Sequence, residues 1–208
     1  MHHYSKFVVS LYKDINLVMN KMSAENKYIS TSSVKQSGRS SYYKMLKKAK
    51  SGELIQVRRG VYATEEQLSG NMIDINTIIE GGVLCLWSAW NIYGLTTSMP
   101  QAFHVAVSRS KKVIAPVFPP IEIHYCSDKL FNIGVTHVNI DGYNVMIYDI
   151  EKCVCDAVKF RNKIGIDVCA EIITEYLSRR ERNISKLMDY ARKLRVASTL
   201  EKYLEVKL

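Results

Sequence analysis

Residues 28–63, YISTSSVKQSGRSSYYKMLKKAKSGELIQVRRGVYA, leave this chain few ways to fold. Thr31 to Gln36 suit a short helix, Gly38 breaks it, and Arg39 to Lys50 suit a longer one. In the longer helix Tyr42, Leu46 and Ala49, with Met45 beside them, make an apolar stripe. Ser40, Tyr43, Lys44 and Lys47 line the opposite face. Gly52 is placed to end the helix. ELIQV and VYAT then read as short strands joined at Arg58-Arg59-Gly60, a tight hairpin tip. Helix, turn, basic helix and basic hairpin in that order predict a helix-turn-helix with a β-wing, a unit that grips duplex DNA.

Charge follows the same division. Residues 1–66 hold 12 Lys and Arg against 5 Asp and Glu, a net of +7 within a total of +9. Residues 67–148 hold 4 against 5, and residues 149–208 hold 13 against 10. Positive charge gathered in one third of a chain is the footprint of a phosphate-binding face. Within the helix expected to read DNA, Arg39 can bond guanine bidentately, Ser40 and Tyr43 can donate to base or phosphate, and Lys44 and Lys47 neutralise phosphate. Arg58 and Arg59 suit the adjacent minor groove or backbone.

Five cysteines (Cys85, Cys126, Cys153, Cys155, Cys169) include no CxxC pair and no Cys/His set with zinc spacing, so neither a metal site nor a cofactor is expected. An odd count without a framework suits a reducing, cytoplasmic setting. GGVLCLWSAWNIYGL is too short and polar to cross a bilayer, the N-terminus lacks a signal peptide's apolar core, and no membrane partner is expected.

Along the rest of the chain, residues 7–22 carry apolar groups at helical spacing and predict a first helix. TEEQLSGN (64–71) is polar and marks a boundary, giving domains at 1–66 and 67–208. A short helix near Ile73–Glu80 and an aromatic helix at Leu84–Tyr93 come next. Strands follow at 103–107, 121–125, 135–140 and 144–149, the last two flanking the hairpin signal Asp141-Gly142. From Asp149, a good N-cap, the chain reads as helical: Ile150–Arg161, Asp167–Arg180, Ser185–Val196 and a final short helix. The fold class is therefore α+β: an N-terminal winged helix-turn-helix, then a larger α+β domain with a small sheet and a C-terminal helical segment.

Enzyme chemistry has thin support. YDIEKCVCD (148–156) groups Asp149, Glu151, Lys152 and Asp156, as metal-dependent nucleases do. Here Asp149 serves as a helix cap and Glu151 complements the helix dipole. There is no G-x-S-x-G, P-loop or G-x-G-x-x-G. His104, His124 and His137 fall on separate strands and read as lone structural histidines. Trp87, Trp90 and Tyr93 form a stripe that reads as core.

GELIQVRRGVYA, then LWSAWNIYGLTT, then HVAVSR, then YDIEKCVCDAVKFRNKIGIDVCAEIITEYLSRRERNISKLMDYARKLRV closely resembles the AbiEi-type antitoxin family, the antitoxin and repressor half of type IV toxin–antitoxin (abortive infection) systems. The resemblance runs from about residue 28 onward. It implies a winged helix binding inverted repeats in its own promoter. It also implies a C-terminal domain that counters a nucleotidyltransferase-like toxin without forming a tight complex. DNA contact would fall on the Arg39–Lys50 helix, Arg58 and Arg59. Antitoxicity would fall on residues 148–196, where Arg161, Asn162, Lys163, Arg179, Arg180 and Arg182 are read as exposed polar groups. The 27 residues before Tyr28 depart from the family pattern. Two alternatives remain: a stand-alone regulator whose second domain senses or dimerises, and a metal-dependent DNA-processing enzyme using Asp149, Glu151 and Lys152.

Overall fold

Ser30 does two jobs in the N-terminal unit. It pairs in the short strand β1 (Ile29–Ser30), and its hydroxyl accepts from the Ser32 amide at 3.3 Å to cap the helix that follows. In the computed structural model, which describes residues 28–69, 73–140 and 143–207, that helix is α1 (Thr31–Gln36). Gly38, with φ at 110°, makes the turn into α2 (Arg39–Lys50). Strands β2 (Ile55–Arg58) and β3 (Val61–Ala63) form the hairpin, with a register irregularity between Gln56 and Arg58. β1 pairs antiparallel to the other side of β3, so the sheet order is β1-β3-β2. Gly60 turns the tip at φ 79°, and its carbonyl accepts from the Thr31 amide at 2.8 Å, tying the hairpin to the start of α1.

The expected helix over residues 7–22 lies outside the described residues, as does the Asp141-Gly142 turn. The chain divides into two compact units, Met1–Asn71 and Met72–Leu208. That division lies at the end of the polar 64–71 stretch. Thr64 and Gln67 form a reciprocal capping box that starts α3 (Glu65–Leu68), and Leu68 is buried.

The second unit is built on a five-stranded sheet. Its strands are β4 (Val83–Leu84), β5 (Phe103–Ser108), β6 (Ile121–Cys126), β7 (Val135–Ile140) and β8 (Tyr143–Tyr148), in the order β6-β5-β4-β8-β7. β4 was expected to belong to the aromatic helix. It is instead the central strand, antiparallel to β5 and parallel to β8. Two residues carry no period, so sequence pattern could not separate them from a helix start. β5 and β6 run parallel, and β7 and β8 form the antiparallel hairpin over 135–148. Short helices α4 (Ile75–Ile78) and α6 (Asp128–Phe131) flank the strands.

Helix α5 (Leu86–Ile92) follows β4 directly and drives Trp90 into the core, where it is fully buried. Its indole N–H donates to the Cys153 carbonyl at 3.0 Å. Four helices complete the unit: α7 (Ile150–Ile164), α8 (Ile166–Ser178), α9 (Ile184–Lys193) and α10 (Ala197–Lys207). Asp149 caps α7 by accepting from the Lys152 amide at 2.9 Å, and Asn183 caps α9 by accepting from the Lys186 amide at 2.9 Å. Every residue from Glu151 to Val158 is buried, so this stretch of α7 is enclosed on all sides. The protein is thus α+β, and among the described residues no helix is long and apolar enough to cross a membrane.

Candidate functional site

The α2 face is built by helical spacing alone. At about 100° per residue, Arg39, Ser40, Tyr43, Lys44 and Lys47 fall within an arc of roughly 140°. All five are exposed, and Tyr43 keeps 62% of its surface in solvent. Met45 supplies the buried side, with Tyr42, Leu46 and Ala49 half-buried around it. The Lys35 ammonium lies 5.0 Å from the Tyr42 ring centroid, adding a cation–π contact between α1 and α2. Arg58 closes β2 and Arg59 sits in the turn, both exposed. One unit therefore presents seven polar or basic groups on a helix face and a hairpin tip.

The six residues assigned to antitoxicity do not form one exposed set. Asn162, Lys163, Arg180 and Arg182 are exposed, but Arg161 and Arg179 are half-buried. Arg161 turns back on its own helix and donates to the Val158 carbonyl at 3.0 Å. Arg179 donates to the Tyr93 carbonyl, joining the end of α8 to the end of α5, and Arg182 donates to the Arg179 carbonyl at 2.8 Å. Tyr93 and Arg179 are the C-caps of α5 and α8, where carbonyls lack intrahelical partners, and the Arg179 and Arg182 guanidiniums supply them.

The acidic and lysine-rich YDIEKCVCD segment becomes a buried network. Lys152 donates to both Asp156 oxygens at 2.6 Å, with the two residues only 3% and 4% exposed. Its ammonium also lies 4.2 Å from the Tyr148 ring centroid. Burial pulls the Lys152 ammonium down, but Asp156 outweighs it and holds the group above its ordinary value. Glu151 faces elsewhere: it accepts from the Tyr176 hydroxyl and pairs with Lys186 at 3.0 Å. Lys186 bridges to Asp149 at 3.0 Å, and the Tyr190 hydroxyl donates to the same carboxylate. Gly134 (φ 72°) presses against this network, and a Cβ there would stand 2.7 Å from Lys152 Cβ. Asp149 and Glu151 therefore converge on the Lys186 ammonium, while Lys152 turns away from them to Asp156. Burial also raises the Cys85, Cys153 and Cys155 thiols, the last to about 12, so they pack as apolar groups.

Two of the three histidines are not lone. Parallel pairing of β5 with β6 sets His104 opposite Glu122 and Ala106 opposite His124. His104 Nδ1 lies 2.9 Å from His124 Nε2 and 3.5 Å from Glu122 Oε2, and the two imidazole rings, 11° from parallel with centroids 5.2 Å apart, meet end to end through these nitrogens. His104 is fixed from behind: its amide donates to Ser88 Oγ at 2.8 Å and its carbonyl accepts from the Cys85 amide at 3.0 Å. Burial holds both imidazoles below their ordinary value, against the opposing pull of Glu122, so both are neutral at physiological pH. His137, on β7 at the far edge, stays apart and exposed. The period-two spacing of Glu122 and His124 on one strand was the available signal. The β5–β6 pairing that delivers His104 was not visible in the sequence.

Comparison with known proteins adds little to this geometry. No family model matches the chain, and no curated protein matches it. Among solved structures, the chain is similar to the RV2827C protein from Mycobacterium tuberculosis, with a TM-score of 0.49 and 10% identity over 86% of this chain and 75% of that one.

Proposed function

We propose that this chain binds duplex DNA through its N-terminal unit, a winged helix-turn-helix with α2 as the recognition helix and the β2–β3 hairpin as the wing. The observation that carries this reading is the exposed set Arg39, Ser40, Tyr43, Lys44 and Lys47 on one face of α2, in the same unit as exposed Arg58 and Arg59. A helix offered to the major groove needs a buried apolar side and a polar side whose N-terminal residues reach base edges. Arg39 is the first residue of α2 and has the reach for a bidentate bond to guanine. Lys44 and Lys47 lie further along, where phosphates flank the groove.

The fuller role is that of the antitoxin and repressor of a type IV toxin–antitoxin pair. In it the N-terminal unit represses the protein's own operon, and the second unit counters a nucleotidyltransferase-like toxin without binding it tightly. This part rests on the ordered motifs from residue 28 onward and makes the protein a binding protein, not an enzyme.

One experiment separates the two roles. Full-length protein is expected to shift its own upstream repeat DNA and to restore growth when co-expressed with the neighbouring toxin-like gene. Arg39→Ala is expected to weaken DNA binding by about 1–3 kcal/mol, as loss of a base contact does, while keeping the rescue. Unchanged DNA affinity in Arg39→Ala would remove the recognition-helix assignment, and failure of the full-length chain to rescue growth would remove the antitoxin role.

A further inference from the structure

We propose that His104, His124 and Glu122 form a binding site for one divalent first-row transition-metal ion, zinc in the first instance, at the β5–β6 edge of the five-stranded sheet. Among the described residues this is the group of His, Cys, Asp and Glu ligand atoms that converges, with all three atoms within 4.8 Å of one another. Two imidazole nitrogens with one carboxylate oxygen is a donor set that zinc, cobalt, nickel and ferrous iron all accept.

The spacing is close to what an ion requires. A tetrahedral ion about 2.1 Å from each ligand holds the ligand atoms roughly 3.4 Å apart. The His104–Glu122 separation of 3.5 Å already meets this, while the His104–His124 pair at 2.9 Å must open by about half an ångström, with the His124 ring swinging off the line between the two nitrogens. His124 lies on an edge strand and is only half-buried, so it can make that adjustment.

Without an ion, His104 Nδ1 and His124 Nε2 share one hydrogen bond at 2.9 Å, which leaves Glu122 outside it. His104 Nδ1 faces an imidazole nitrogen and a carboxylate oxygen at once, so a proton on it can serve only one of them. If it carries no proton, its lone pair faces a carboxylate. An ion accepts all three lone pairs together. Glu122 has 62% of its side chain in solvent, which gives an ion a way in and leaves a fourth position for water. The more deeply buried His104 is held by Ser88 and Cys85, a rigid base for the site.

The test uses the full chain carrying His2→Ala and His3→Ala, which removes the other adjacent histidine pair in the sequence. Zinc is titrated calorimetrically and cobalt by its visible absorption. The expected result is one ion per chain, with no thiolate charge-transfer band. His124→Ala and Glu122→Gln are each expected to weaken binding roughly 100-fold, at or above the loss seen for outer-shell partners. Cys126→Ser and His137→Ala are expected to bind as the parent does. Glu122→Gln sits at an exposed position and preserves shape, so it reports even if His124→Ala unfolds. Absence of binding in the parent, parent-like binding in Glu122→Gln, or loss on Cys126→Ser would overturn the proposal.

Discussion

Lys152→Met is expected to destabilise the second unit by about 3–5 kcal/mol, a loss of roughly 10 °C or more in Tm. The reason is the partner left behind. Asp156 is 4% exposed, and both of its oxygens accept from the Lys152 ammonium at 2.6 Å. With the ammonium gone, the carboxylate must either stay charged in an apolar site or take up a proton, and both cost free energy. Replacing both residues, as Lys152→Met with Asp156→Leu, is expected to recover most of the loss, because no uncompensated charge remains. Urea unfolding of the single and double variants beside the parent checks this. A single variant within about 1 kcal/mol of the parent would mean that water reaches Asp156 and that the pair is not buried as described.

Trp90→Ala is expected to cost about 3–5 kcal/mol for a different reason, namely lost volume. Trp90 is fully buried and packs edge-on against Trp87 with ring centroids 5.2 Å apart. Its N–H also satisfies the Cys153 carbonyl on α7, so one side chain joins α5 to the enclosed helix. Trp90→Phe separates the two contributions. It keeps most of the volume and removes the hydrogen bond, and about 1–2 kcal/mol is expected from that change. Equal losses in the Ala and Phe variants, read by denaturant unfolding, would show that the bond and not the volume dominates.

The elements written in local signals were legible in the sequence. Residues 31–36 and 39–50 form helices where the Gly38 break and the apolar stripe place them. Asp149 caps the helix it was expected to cap. The capping box at Thr64 and Gln67 was equally local, but it stood inside a polar stretch that read as a linker. What stayed hidden was long-range. Val83–Leu84 becomes the central strand because residues 103–108 and 143–148 pair on either side of it. The i,i+4 spacing of Lys152 and Asp156 was visible, but spacing does not distinguish a solvated pair from one sealed inside a helix cluster. The histidine cluster depends on parallel pairing between strands separated by a long loop, and no single segment encodes it.

The exposed polar and basic face of α2 was readable for the opposite reason. It is a property of one helix, set by which residues recur every three or four positions. Its partition into exposed Tyr43, Lys44 and Lys47 against buried Met45 follows the amphipathic pattern, except that Met45, not Tyr42 or Leu46, is the most deeply buried member.

The central claim is that this unit holds DNA by its phosphates and reads it with α2. The salt dependence of duplex binding tests it most directly. Log K for the parent protein on its upstream DNA is expected to fall linearly with log salt concentration, and Lys47→Ala is expected to flatten that slope by about 1 across specific and unrelated duplexes alike. Undetectable duplex binding, or a parent slope that Lys47→Ala leaves unchanged, would contradict it.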